Sequence, residues 1–121
     1  MIITEALLRR VGRLDGVLAA CVVDPSTGAV VGATERRARV AVPVLAAGAA
    51  DLVHVLGLMT AGMALGGEVE DVVVTATAHF HILRVLPVGP DQGLVLVVTL
   101  ERAGTNLAMV HREIRAAAAA P

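Results

Sequence analysis

Aromatic side chains are almost absent from this chain of 121 residues, which contains one Phe and neither Tyr nor Trp. Proteins that hold single strands of nucleic acid stack the bases on aromatic rings, so this mode of binding is excluded. The net charge is −1, and the densest basic tract is Arg-Arg-Ala-Arg at residues 36–39. Binding to a duplex requires a larger excess of positive charge, and we therefore expect no nucleic-acid partner.

Lysine is absent as well, since all ten basic residues are arginine. A phosphate-binding P-loop requires a lysine before its serine or threonine, so we do not expect the chain to be a GTPase of the P-loop class itself. The one serine, Ser26, lies among turn residues and has no catalytic motif around it. We therefore expect a protein without enzymatic activity and without a cofactor.

The single cysteine, Cys21, excludes an internal disulfide and is typical of proteins in a reducing compartment. It lies in the middle of an apolar run, where a buried thiol is usually inert. The N-terminal residues carry an acidic side chain early and arginines late, which is the reverse of a secretory signal peptide. These features predict a cytoplasmic protein.

Residues 40–67 form a long apolar stretch whose only polar side chains are Asp51, His54 and Thr60. Pro43 suits the first turn of a helix and the glycine pair at 66–67 suits its end, so we expect a helix over residues 44–65. At about 100° per residue, one side of this helix is apolar apart from a threonine. The opposite side collects Ala47, Asp51, His54, Leu58, Gly62 and Leu65.

Both sides of this middle helix are largely apolar, and such a helix is normally buried on more than one side. The chain can cover one side with its own sheet, so we expect a second chain to cover the other. Two alternatives remain open at this point. The helix could be fully buried in a monomer, or it could span a membrane, although Asp51 and His54 would then lie in the hydrocarbon region.

Five shorter segments have the composition of strands: residues 17–23, 29–33, 72–75, 79–86 and 94–100. The first two are joined by Asp24-Pro25-Ser26-Thr27-Gly28, which predicts a hairpin turn. The last is apolar on both faces, which predicts a central strand. In the fourth strand the period of two places His79, His81 and Leu83 on one face and Phe80, Ile82 and Arg84 on the other.

Amphipathic patterns at both ends of the chain predict two further helices, the last of them capped by Thr105 or Asn106. The order helix, hairpin, helix, three strands, helix predicts a single domain over residues 1–121 with an α/β sandwich fold around an antiparallel sheet. We expect its core to span about residues 3–115. The alanine-rich segment 116–121 is expected to be a frayed tail.

The two histidines His79 and His81 are the one pattern that suggests a metal site, because they project from the same face of a strand. A metal site would need a third ligand that the sequence does not identify. A pair of histidines on a partly solvated strand face is the more ordinary interpretation. We therefore expect no bound metal.

The order of elements and several local runs resemble the roadblock/dynein light-chain family of small regulatory domains. The first hairpin, with the run 16–24 and Gly28, carries part of this resemblance, and the middle helix rich in small residues carries another. The terminal run from Arg102 to Val110, with Asn106-Leu107 opening an amphipathic helix, is the most specific part. The segment His79-Phe80-His81 departs from the family, whose domains often have ordinary strand residues there.

The resemblance implies a five-stranded antiparallel sheet with the middle helix on one face and the terminal helices on the other. It also implies a homodimer in which the strand after the middle helix pairs with its copy and the two middle helices pack side by side. The residues that we expect in this interface are Val55, Gly62, Leu65, Val72, Val73 and Val74.

Bacterial proteins of this family often act beside a small Ras-like GTPase, as regulator or scaffold. The resemblance therefore implies such a partner, and we expect it to bind near Asp51, His54 and Leu58 on the outer side of the middle helices. The arginines of residues 36–39 could add electrostatic steering. The alternative function is a small-molecule sensor or binding domain, which the lack of aromatic and convergent polar groups disfavours.

Overall fold

The computed structural model describes residues 2–36, 40–87 and 93–119 of the chain. In chain order the elements are α1 (Ile2–Gly12), β1 (Val17–Asp24), β2 (Ala29–Glu35), α2 (Val42–Gly62), β3 (Asp71–Thr75), β4 (His79–Val85), β5 (Val95–Glu101) and α3 (Leu107–Ala119).

The five strands form one sheet in the order β2-β1-β5-β4-β3, and every neighbouring pair is antiparallel. Strand β5 occupies the centre, as its apolar composition predicted. Strands β2 and β3 lie at the two edges. The predicted α/β sandwich around a five-stranded antiparallel sheet is therefore confirmed.

The two faces of the sheet bury different helices, because side chains of a strand alternate between its faces. Helices α1 and α3 pack on the face that carries Phe80 and Ile82. Helix α2 packs on the opposite face, against Cys21, Leu83 and Val97. The predicted arrangement, with the middle helix on one face and the terminal helices on the other, is confirmed.

The ends of two helices differ from their predicted positions. Helix α2 ends at Gly62 rather than at residue 65, because the left-handed conformation that terminates it falls on Ala64, with a φ of 56°. Helix α3 continues to Ala119, so the prediction of fraying from residue 116 is wrong up to that point. The side chains of Ala117 and Ala118 are buried in the core, which fixes the last helical turn. Residues 120 and 121 lie outside the described parts of the chain.

Side chains fix the turn after β1 and the start of α3 as the sequence predicted. The carboxylate of Asp24 accepts hydrogen bonds from the backbone N–H and the hydroxyl of Ser26, at 3.0 and 2.6 Å, which lower its pKa. Asn106 accepts a hydrogen bond from the backbone N–H of Met109 at 3.2 Å and so caps α3.

Candidate functional site: the middle helix and the edge strand

The buried residues of helix α2 all lie in its N-terminal half, and they are Val42, Ala46, Ala49 and Ala50. The large apolar side chains that follow are between 51% and 80% exposed: Val55, Leu58, Met59, Met63 and Leu65. The alternative of a fully buried helix in a monomer is therefore excluded. Contiguous exposed apolar surface of this kind indicates an interaction site.

A groove runs between α2 and the strands beside it, because α2 packs mainly on β1, β2 and β5 and covers β3 and β4 incompletely. We call it the α2 groove. Its volume is about 230 Å³, and it is lined by Val44, Leu45, Gly48, Ala49, Leu52, Val74, His81, Leu83 and Val97. A Cβ atom added at Gly48 would meet no atom within 4 Å, so the backbone of α2 is open to close approach here.

The side of α2 that borders the α2 groove continues beyond it. Val55 and Met59 lie seven residues, or about two turns, after Gly48 and Leu52, and therefore face the same way. We call this side the groove flank. The groove flank carries no charged residue.

The residues predicted to bind a partner lie on a different side of α2. Asp51, His54 and Leu58 are centred about a quarter turn away from the groove flank, and all three are exposed. We call this side the outer flank. Of the α2 residues predicted for the dimer interface, Val55 lies on the groove flank, whereas Gly62 lies between the two flanks, four residues after Leu58. The roles of all these residues remain predictions. Of the preceding arginines, Arg36 is exposed, whereas Arg37 and Arg39 lie outside the described residues.

Strand β3 forms the sheet edge nearest the α2 groove. It pairs with β4 on one side, and in the described residues no strand pairs with its other side. Val74 points into the α2 groove, while Val73 points to the opposite face and is 37% exposed. An unpaired edge offers a row of backbone donors and acceptors to another strand.

A charged network that the sequence analysis missed holds the start of β3 in place. One carboxylate oxygen of Asp71 lies 3.2 Å from Arg84 Nη1 and 2.9 Å from His111 Nε2. Glu70 lies 3.7 Å from both arginines, Arg84 and Arg115. The network connects β3 to β4 and α3. Its acidic and basic members are far apart in the sequence, and only the unusual position of an arginine facing inward on β4 could have indicated the network.

His79 and His81 lie side by side on β4, with ring centroids 6.4 Å apart. His81 Nδ1 is 2.9 Å from the hydroxyl of Thr99, which is buried. Burial lowers the pKa of His81, and the charge of His79 lowers it further. Among the described residues no group of three His, Cys, Asp or Glu side chains could hold a metal ion. The absence of bound metal remains a prediction.

Helix α2 is also long and apolar enough to cross a membrane, judged by length and composition alone, with a mean hydropathy of 1.8. Only 22% of the most apolar 18-residue stretch of α2 is buried within the protein. Asp51 and His54 would lie near the middle of such a span, where a charged group is costly. The exposed apolar surface therefore fits a protein interface better than a bilayer.

No protein-family model and no curated protein matches the chain. Solved structures do match it. A roadblock/LC7 domain from Streptomyces avermitilis superposes with a TM-score of 0.74 at 19% identity, over 97% of this chain and 89% of that one. The gliding protein MglB from Thermus thermophilus superposes with a TM-score of 0.74 at 16% identity, over 98% and 82%. An MglB structure with a tetrameric arrangement gives a TM-score of 0.74 at 16% identity, over 98% and 81%.

Identities this low establish the architecture rather than the activity. The matches cover nearly the whole chain and include the sheet, α2 and both terminal helices. The resemblance found in the sequence is thereby confirmed at the level of structure. The chain has the fold of roadblock/LC7 domains.

Proposed function

We propose that this protein is a cytoplasmic, non-catalytic homodimer that binds a small Ras-like GTPase and regulates or localises it. The observation that carries this proposal is the uncovered apolar surface of α2 in a roadblock/LC7 fold. The fold places α2 on the sheet, and the protomer leaves large apolar side chains in the C-terminal half of the helix exposed to solvent.

A second copy of the chain is the occupant that the α2 groove fits best. The groove is bordered by the apolar groove flank, and a two-fold axis beside it would place the same flank of a second copy against the groove. Such self-complementarity is what a two-fold homodimer requires. Gly48 allows the two helices to approach closely, and the free edge of β3 could pair with its copy in the same assembly. The tetrameric arrangement of the MglB structure shows that a protein of this fold can associate.

The outer flank remains accessible when the groove flank is occupied, because it lies about a quarter turn further round the helix. Asp51, His54 and Leu58 there combine one carboxylate, one imidazole and one apolar side chain that is 62% exposed. A convex ridge of this kind suits a protein partner, since it offers area and a few directional contacts rather than an enclosing pocket. We propose it as the GTPase-binding surface.

The test is binding of purified protein to Ras-like GTPases from the same genome, each loaded with GDP or with a GTP analogue. We expect the parent protein to bind one of them. The variant Asp51→Arg with Leu58→Glu should lose at least about tenfold in affinity, because it reverses the charge and buries a carboxylate in the contact. Circular dichroism and light scattering would establish that the variant remains a folded dimer.

The matched control is Glu5→Arg with Met109→Glu on the opposite face of the molecule. Glu5 is exposed, and Met109 is 62% exposed, as Leu58 is. The control makes the same changes of charge and should bind as the parent does. If the control loses binding and the outer-flank variant keeps it, the GTPase binds the face of α1 and α3 instead. If no GTPase binds the parent, the proposed partner is wrong.

A further inference from the structure

We infer that His81 makes homodimerisation pH-dependent, because protonation of its ring displaces the second copy from the α2 groove. The inference rests on the proposed function, since it requires a second copy in that groove. His79-Phe80-His81, a segment without a role in the proposed assembly, would thereby control the stability of the dimer.

The ring of His81 lines the α2 groove, where it lies between Val74 on β3 and Leu83 on its own strand. Nδ1 has a partner in the hydroxyl of Thr99, at 2.9 Å. A hydroxyl can either donate to this nitrogen or accept from it, so the contact suits the neutral ring and the protonated ring alike. The neutral and the protonated ring therefore differ at the second ring nitrogen, Nε2, which can be without a proton only in the neutral ring.

The charged groups around His81 are few. On its own strand the nearest is His79, and on β5 it is Glu101, which pairs in register with His79. Strand β3 presents Val74, and the part of α2 that lines the groove presents no charged residue. The titratable residues of α2, Asp51 and His54, lie on the outer flank. In the described parts of the chain, no carboxylate therefore lines the groove to stabilise a positive charge on His81.

Covering the groove changes the balance between the two protonation states. In a free protomer His81 is half-buried, and water can reach the ring and hydrate an extra N–H. A second copy packed with its own groove flank against the groove would replace that water with apolar side chains. A buried donor without a partner and a desolvated positive charge are both unfavourable. The neutral ring avoids them because Nε2 can then be the unprotonated nitrogen.

The direction of the pH effect follows from this difference. Burial already lowers the pKa of His81 from the usual value of 6.5, and covering the groove lowers it further. The dissociated protomers thus bind protons more readily than the dimer does. The dimer is therefore most stable above the pKa of His81 in the free protomer, and it weakens as the pH falls through that lowered pKa, which lies below 6.5. A dimer contains two copies of His81, so the limiting slope is about a hundredfold in Kd per pH unit.

The experiment is sedimentation velocity over a dilution series of the full chain at about pH 7.5 and about pH 5.5. We expect the dimer Kd of the parent to be higher at the lower pH than at the higher one. His81→Asn keeps a polar atom near Thr99 and cannot be protonated, so its Kd should be nearly the same at both values. His79→Asn, the same change on an exposed neighbour, should retain most of the pH dependence.

A second measurement uses the parent protein alone, so it tests the role of His81 even if the His81→Asn variant fails to fold. The NMR titration of His81 in the parent protein, recorded in dilute and in concentrated samples, should show a lower pKa in the concentrated one. Equal pH dependence in the parent and in His81→Asn, or a titration independent of concentration, would overturn the role of His81 and leave the dimer intact. A protein that is monomeric at every concentration and at both pH values would instead overturn the homodimer itself.

Discussion

Replacing Asp71 with alanine should destabilise the protein far more than the same change at the adjacent Glu70. Both carboxylates lie near Arg84, whose side chain is 10% exposed, but Asp71 is 20% exposed and Glu70 is 71% exposed. The Arg84–Asp71 contact of 3.2 Å is a hydrogen-bonded pair, whereas the Arg84–Glu70 distance is 3.7 Å. The two single variants therefore remove a largely covered and an exposed partner of the same guanidinium.

The magnitudes follow from the burial of Arg84. Removing one member of a fully buried ion pair costs about 3–5 kcal/mol, because the remaining charge is left unpaired. Asp71 is partly exposed and Glu70 would remain near Arg84, so we expect about 2–3 kcal/mol for Asp71→Ala. An exposed pair is worth less than about 1 kcal/mol, which sets the expectation for Glu70→Ala.

A double variant distinguishes the cost of leaving the Arg84 guanidinium unpaired from the cost of losing the other contacts of Asp71. Arg84→Met removes the guanidinium while keeping an apolar stem, so Asp71→Ala combined with Arg84→Met should recover at least about half of the loss. Urea unfolding of the parent and the three variants, at one fixed protein concentration, gives the four free energies of unfolding. If Asp71→Ala and Glu70→Ala are equally destabilised, or if the double variant is the least stable of all, the stranded-charge argument is refuted.

Three further predictions address the thiol, the edge strand and metal binding. Burial raises the pKa of Cys21 to about 11, so a thiol-reactive dye should label the folded protein far more slowly than the protein in denaturant. Val73→Pro removes a backbone donor from β3, and light scattering should show a folded monomer of 12.4 kDa; a folded dimer would mean that another strand forms the interface. Elemental analysis of the purified protein should find no stoichiometric transition metal; one zinc per chain that is lost in His81→Ala would contradict this.

Local patterns in the sequence were sufficient to predict the arrangement of layers. Strand β5 was predicted to be central because the segment from Leu94 to Leu100 is apolar on both faces, and it is central. The alternation on β4 placed His81 and Arg84 on opposite faces, and the structure agrees. These features depend on periodicity and burial, which a single sequence records directly.

Features that depend on tertiary contacts could not be predicted in the same way. The end of α2 falls at Ala64, a residue with no intrinsic preference for a left-handed conformation, while the more permissive glycines follow it. The last turn of α3 is held because Ala117 and Ala118 meet the core, although alanine repeats at a chain end usually fray. The contact between Asp71 and His111 joins residues 40 positions apart and leaves no local signal.

A substitution at Gly48 tests whether the groove flank and the outer flank of α2 have different roles. Gly48 and Gly57 both have open space where a Cβ would lie, so leucine at either position should raise helix stability by roughly 0.8 kcal/mol in the protomer. Gly48 lines the α2 groove, whereas Gly57 does not, and only Gly48→Leu would put its side chain where the proposed second copy would pack.

If the GTPase contacts both helices of the dimer, Gly48→Leu should weaken GTPase binding and dimerisation together, whereas Leu58→Glu should weaken GTPase binding while the dimer persists. Gly57→Leu should leave both unchanged. Sedimentation gives the dimer Kd, and a binding assay gives the GTPase affinity, for Gly48→Leu, Leu58→Glu and Gly57→Leu. A Gly48→Leu protein that is monomeric yet binds the GTPase as the parent does would show that one outer flank is sufficient, and that the dimer serves a purpose other than building the binding surface.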